Sequence, residues 1–462
     1  MKLNSKVIII ILAVVFTTSA CNKFLERPPE GQLTKEEAFA DEQGLIRFAN
    51  GINTLLGDGV FMGGRHQILN ELLADHYRGD KFTGDYSEIY KRQNSYFGAT
   101  RDDYYNRAYQ VITRANVILE NLSIASSARP VLEGQAKFFR GIMHFEMVRM
   151  FAQPYGFTPD NSHPGVPIRT GVSLNSQERA TVKEVYDIVI ADLKSADSLL
   201  PTEPAGGKFY TPTKWAAKAY LAKVYFQMNS FPDAFSYADQ VIKSNKFQLD
   251  TSYNHRFSEG MSKEGIYVIQ NQGSAYAPGS DLRGSFRSDQ SPPGFTFTDQ
   301  FYAVATSKGS DKRKAWYSNT LQAGLNVLTK YNKAFFDLPI IHLTEIKLIR
   351  AEAGAETGSA NLAVAISDIN EILTRAYGGP AQNLPATASA AAVIAAARTE
   401  RELELVGEGN RVQEIKRIGV RSSQNLDRRG SPWNCPGFIL QFPKGEQDAN
   451  ASFQLNPEGN CF

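Results

Sequence analysis

The sequence predicts a mainly α protein: a tetratricopeptide-like helical-repeat scaffold with a loop-rich inserted region and short strands. Three observations predict it. Apolar residues recur at helical spacing through most of the chain. Two segments, Lys218–Ile242 and Ile341–Leu373, each read as helix, short turn, helix. Small alanines stand where helices approach closely, and aromatics fill the gaps. Residues 251–330, between the two pairs, break the pattern with glycines and prolines such as Gly260, Gly273, Gly279, Pro278, Pro292 and Pro293.

The first element is a leader, residues 1–20. Lys2 and Lys6 precede an apolar run from Val7 to Phe16. That run is about half of the roughly 20 residues a bilayer-spanning helix needs. Ser19 and Ala20 are the small residues a signal peptidase requires, and Cys21 follows them. The pattern predicts a lipoprotein signal with Cys21 as the lipid anchor. Thr18 occupies the place where such signals usually carry Leu. The alternative is a plain secreted chain with a free thiol.

Residues 21–462 then read as one domain, with helical scaffold over about 30–250 and 331–420. Helices are expected at Thr34–Leu56, at Asp102–Leu122 and at Val131–Phe151. The Met-rich face of the third (Met143, Met147, Met150) reads as core, because Met fills irregular gaps. Thr181 caps a helix that Pro201 stops, and Thr211-Pro212-Thr213 opens the next with Pro in the first turn. In the insertion, residues 251–330, one strand is expected at Gly265–Gln270. The alanine-rich stretch resolves into a helix from about Ala390, since Ala is the best helix former. The segment 421–462 reads as loop with a short strand at Phe438–Phe442.

Composition removes several function classes. The chain has 50 basic and 48 acidic residues, and two of the lysines lie in the leader. A balanced chain lacks the electrostatic footprint of a nucleic-acid binder. The six histidines form no metal-ligand spacing, and no nucleophile elbow or phosphate-binding loop occurs. No catalytic residue, metal or cofactor is assigned. With Cys21 lipidated, Cys435 and Cys461 remain as an even pair. A disulfide between them is expected in a secreted chain, closing a loop of about 25 residues for roughly 3 kcal/mol. The alternative is two free thiols in a loose tail.

Five segments together resemble the SusD/RagB family of nutrient-binding outer-membrane lipoproteins. They are CNKFLERPP from Cys21, GQAKFFRGIMHFEMVRMFAQPYG at 134–156, the pair WAAKAYLAKVYFQM and IKLIRAEAGAETG, ERELELVGEGNRVQEIKRIG at 400–419, and FPKGEQDANASFQLNP at 442–457. The resemblance covers essentially the whole mature chain in order, although the chain is short for the family. It implies a lipid-anchored protein on the outer-membrane surface that captures a nutrient without chemistry. It also implies a SusC-like TonB-dependent transporter as partner, with the protein closing over it like a lid. The membrane would be met through the lipid alone. Glu400, Arg401, Glu408 and Arg411 in the late motif read as structural ion pairs, with Glu408 and Arg411 as i, i+3 neighbours on a helix.

A receptor for sugars or peptides needs aromatic platforms flanked by hydrogen-bonding groups. Two loop stretches supply them, His76–Tyr105 and Ser274–Tyr302. The candidates are Tyr77, Arg78, Tyr86, Tyr96, Tyr276 and Phe295. Trp215 is expected in the core; Trp316 and Trp433 are further platform candidates. A glycan (oligosaccharide) is the first expectation for the ligand and an oligopeptide the second. A third reading is an assembly scaffold with no ligand site of its own.

Overall fold

The structure, a computed structural model, describes residues 39–462 apart from 174, 259, 261, 460 and 462. The leader, Cys21 and the expected helix start at Thr34 lie outside the described residues. Among the described residues the chain forms fifteen α-helices and four short strands.

The scaffold begins with α1 (Glu42–Leu56), α2 (Arg65–Leu73), α3 (Gly84–Tyr90), α4 (Ala99–Glu120) and α5 (Arg129–Phe151). From Phe138 onward every residue of α5 is buried, Met143, Met147 and Met150 included. The Met-rich face is therefore core. α6 (Val182–Leu199) starts where the sequence signals it. The Thr181 hydroxyl accepts from the Glu184 N–H, and the Glu184 carboxylate accepts from the Thr181 N–H. Such a reciprocal cap is worth on the order of 1 kcal/mol. α7 (Lys214–Gln227) begins after Thr213, so Pro212 lies outside the helix rather than in its first turn. Ala216, Ala217, Ala219 and Ala222 are all buried, and α7 contacts neighbours on several sides.

α8 (Phe231–Lys243) completes the first helical pair. The second pair is α11 (Leu343–Glu356) and α12 (Leu362–Tyr377), followed by α13 (Ala390–Glu404) and α14 (Arg411–Ser422). Each of α4 to α8 packs on the next, and α8 packs directly on α11. The array that the insertion interrupts in sequence is thus continuous in space. Gly354 marks the junction: a Cβ there would lie 3.0 Å from the Phe235 ring of α8.

The insertion is more ordered than expected. β1 (Gly265–Ile269) pairs antiparallel with β4 (Leu338–His342), which leads straight into α11. β2 (Tyr317–Ser318) pairs with β3 (Val327–Leu328), and two helices form, α9 (Ser280–Phe286) and α10 (Asp299–Thr306). Backbone bonds stitch the insertion to the loop after α2, Arg78 N–H to Thr296 O at 2.8 Å and Thr298 N–H to His76 O at 2.9 Å.

Buried charge joins the insertion to the late helices. Glu404, at the end of α13, accepts from Arg375 at 2.8 Å, Arg256 at 3.1 Å and Arg313 at 3.1 Å. Burial opposes its ionisation, but the three guanidinium groups win and hold its carboxyl below the usual range. Glu400 pairs with Arg313, Arg401 with Glu352, and Arg411 with Asp75. The expected Glu408–Arg411 pair does not form. Gly407 and Gly409 at φ +75° and +77° break the helix between α13 and α14. Glu408 turns instead to Lys330 and His342.

The C-terminal segment holds a short helix, α15 (Lys444–Ala449), and no strand at Phe438–Phe442. Ile439 to Phe442 are buried as a strand's residues would be. They have no partner strand: the Leu440 N–H bonds the last turn of α5 at Met150 O, 2.7 Å away. Asn456 Nδ2 bridges Phe151 O and Leu440 O at 2.8 and 2.7 Å. Cys435 and Cys461 are joined, with their Cα atoms 5.4 Å apart.

Candidate functional site

The turn between α1 and α2, Gly57-Asp-Gly-Val-Phe-Met-Gly-Gly64, is mostly buried, with Asp58, Gly59 and Val60 half-buried at its tip. The Asp58 carbonyl accepts from the Phe61 and Gly63 N–H groups at 2.9 and 3.0 Å. Gly63 is required there, since a Cβ would lie 2.1 Å from the Gly57 carbonyl oxygen. The compact turn lets side chains from distant segments gather over it. Arg107 Nη1 donates to Asp58 Oδ2 at 2.9 Å. Arg65 Nη2 lies 3.5 Å from Asp281 Oδ2, from α9. The Tyr276 hydroxyl donates to Thr54 O at 3.2 Å, over the end of α1. Tyr86, from α3, stands beside Arg65 and Asp281. Asp85 accepts from the Thr100 N–H at 2.8 Å and so fixes α3 to the start of α4.

Tyr86 and Tyr276 are half-buried, leaving part of each ring open. Burial, with Asp58 adding to it, pushes the Tyr276 phenol up to about 12, and burial also raises Tyr86. Both are neutral hydrogen-bonding rings at physiological pH. A polar groove of about 600 Å³ meets the turn at Val60 and Arg107, and its lining includes Asp103, Asn106, Gln110, Arg169 and Glu446 but neither Tyr86 nor Tyr276. Neutral phenols, paired charges and amides around an open groove can bind hydroxyl-rich or amide-rich ligands.

The structure sorts the sequence candidates. Tyr86 and Tyr276 both reach the turn, Tyr86 beside Arg65 and Asp281 and Tyr276 over Thr54. Tyr77 and Phe295 do not: they are 0% and 1% exposed. Tyr77 stacks on Phe297 at 4.8 Å, and Phe295 packs on Phe82 and Phe286, both at 4.7 Å. These rings are the apolar seam between insertion and scaffold, and offer no face to a ligand. Arg78 is exposed but pairs within its own loop, with Asp80 at 3.2 Å. Tyr96 is half-buried in the α3–α4 loop, next to Phe97, whose 77% exposure no sequence argument singled out. Trp316 is buried, its indole N–H bonded to Asn254 Oδ1, so it is no platform. Trp433 is half-exposed, and Trp215, expected in the core, is also half-exposed. Arg65, Asp58, Asp281 and Arg107 escaped the sequence reading, although the glycine-rich turn between two helices was a usable signal.

Asp75, His76 and Glu402 place one ligating atom each within 4.8 Å of one another. Their charge is already balanced. Arg411 grips both Asp75 oxygens at 2.8 Å, and Arg428 and His76 bond Glu402 at 2.6 and 2.9 Å. Burial works against the His76 cation, but its bond to Glu402 and the nearby carboxylates of Glu71 and Asp75 prevail and raise its pKa. The cluster fits an ion-pair network, not a metal. The enclosed cavity among His66, Glu146, Lys223 and Glu408 is only about 40 Å³, space for little more than water.

The helical array, the inserted loops and the few short strands define a tetratricopeptide-like protein. Residues 172–454 match the family model described as SusD family, and residues 23–226 match one described as "Starch-binding associating with outer membrane". The chain belongs to the SusD family. It is similar to the SusD-like protein P2 of Formosa agariphila, 25% identical over 284 residues, which are 58% of this chain and 53% of that one. The SusD-like protein P38 of the same organism is 22% identical over 54% of this chain and 47% of its own length. The chain thus spans about half the length of these curated relatives. A solved SusD superfamily structure from Bacteroides thetaiotaomicron superposes with a TM-score of 0.77 at 23% identity, covering 90% of this chain and 100% of that one. The surface glycan-binding protein A from Bacteroides uniformis gives 0.71 at 18% identity, over 90% and 99%. Among the described residues no helix is long and apolar enough to cross a membrane.

Proposed function

We propose that this protein captures a glycan at the face around the Gly57–Gly64 turn and passes it, unaltered, to a SusC-like TonB-dependent transporter. The observation that carries the reading is the placing of Tyr86, Tyr276, Arg65, Asp281, Asp58 and Arg107 around one turn, with Arg107 also lining a polar groove of about 600 Å³. Half-open neutral phenols stack on sugar faces, and the flanking charged groups meet hydroxyls. Family membership and the glycan-binding relative support the ligand class. Cys21 supplies the lipid tether at the outer membrane.

Screening the purified protein against glycan and peptide libraries by calorimetry tests the ligand class. Glycan binding is the expected result; binding of oligopeptides alone would replace it. For the tether, Cys21→Ala is expected to move the protein from the outer-membrane fraction to the soluble one. Retention in the membrane after deletion of the transporter as well would refute a lipid anchor.

A further inference from the structure

We propose that the disulfide-closed C-terminal segment builds a second carbohydrate subsite, selective for an acetamido sugar. It lies in a cavity of about 330 Å³ that shares no lining residue with the groove described above. Its walls are largely apolar: Phe157, Pro164, Pro436, Ile439, Leu455 and Pro457. The volume falls in the range of small-ligand sites, roughly 300–1,000 Å³.

The cavity is rigid. The Cys435–Cys461 bond closes the segment, and Asn456 is tied by its amide to Phe151 O and Leu440 O. Arg179 spans Gly165 O at 2.8 Å, Pro164 O at 2.9 Å and Gln454 O at 3.2 Å. Phe157, 38% exposed, is held edge-on between His163 at 5.2 Å and Trp433 at 6.2 Å.

The buried polar groups of the lining are nearly spent, while Asn434 and Gln454 are exposed. His163 uses one ring nitrogen on Thr158 and the other on Gln153 O. Gln153 Nε2 donates to Asn434 O and Cys435 O at 3.3 and 3.4 Å. Gln153 Oε1 is different: it is buried and has no hydrogen-bond partner among the described residues. A buried acceptor left unmatched costs about 1–3 kcal/mol, which a ligand's donor recovers. The cavity therefore asks for one N–H or O–H donor joined to an apolar group. An acetamido substituent has both, an N–H for Gln153 Oε1 and a methyl for the proline and leucine walls. A hydroxyl in that place offers the donor but no methyl, so it leaves the proline and leucine walls uncovered.

The proposal rests on the glycan reading for its ligand class. Its test is calorimetry of the purified full-length protein with N,N′-diacetylchitobiose and with cellobiose, which differ only in the acetamido groups. The expected result is binding of diacetylchitobiose at least tenfold tighter than cellobiose. Phe157→Ala and Gln153→Leu should each weaken it about tenfold or more, and Phe157→Tyr should keep it. Equal affinity for the two disaccharides, no binding of diacetylchitobiose, or insensitivity to both Phe157→Ala and Gln153→Leu would overturn the subsite. Loss on Tyr276→Ala instead would place the sugar at the first face, overturning the subsite while leaving the glycan reading intact.

Discussion

Arg92 and Asp427 meet as a two-bond fork inside the protein, Nη1 to Oδ2 at 2.6 Å and Nη2 to Oδ1 at 2.8 Å, with neither side chain exposed. Arg92 also donates to Leu73 O at 3.0 and 2.8 Å and to Ser431 Oγ at 2.7 Å. One guanidinium thereby joins the end of α2, the α3–α4 loop and the C-terminal segment. It anchors the loop that follows Tyr86 and carries Tyr96.

Removing one partner of such a pair leaves a buried charge without its counterion. Asp427→Ala is expected to destabilise the protein by about 3–5 kcal/mol. Denaturant unfolding followed by circular dichroism measures it, and a change below about 1 kcal/mol would mean that the fork contributes little.

The Cys435–Cys461 bond spans 26 positions and closes the C-terminal segment. Loop entropy predicts a loss of roughly 3 kcal/mol for the Cys435→Ser, Cys461→Ser double variant. A lower Tm under non-reducing conditions, matched by reduced wild type, is the expected outcome.

Lys416 is buried on α14, donating to Arg149 O. Burial, reinforced by the Arg149 charge, pushes its pKa down to about 7 from its ordinary 10.5. Between those values the unfolded chain binds the proton and the folded one does not, so stability rises with pH. The gain begins near pH 7, approaches about 1.4 kcal/mol per unit, and is complete above pH 10.5. Lys416→Met should flatten this rise. Urea unfolding at pH 7, 8 and 9 checks it; an unchanged slope would show that Lys416 remains charged in the fold.

Local rules made much of the scaffold legible. Thr181 and Glu184 announce the start of α6 three residues apart, and the alanines of α7 announce close helix packing. What failed needed distant partners. The sequence could not show that α8 rests on α11, or that 439–442 would be buried with no strand beside it. Tyr77 and Tyr276 look alike in polar, glycine-rich surroundings. Only the folding of the insertion onto the α2 loop buries the first, while the second lies half-open over the end of α1. Glu408 and Arg411 have helical spacing, yet the two glycines flanking Glu408 break the helix between them. Asp58 and Arg65 acquire a role only through Arg107 and Asp281, residues from other parts of the chain.

Titration of a glycan identified by the library screen into wild type, Tyr86→Ala and Tyr276→Ala, each verified as folded by its melting curve, is the most direct test of the binding face. The account predicts that each substitution weakens binding at least tenfold, about 1.4 kcal/mol, with no turnover of the ligand. Wild-type affinity in both variants would contradict it.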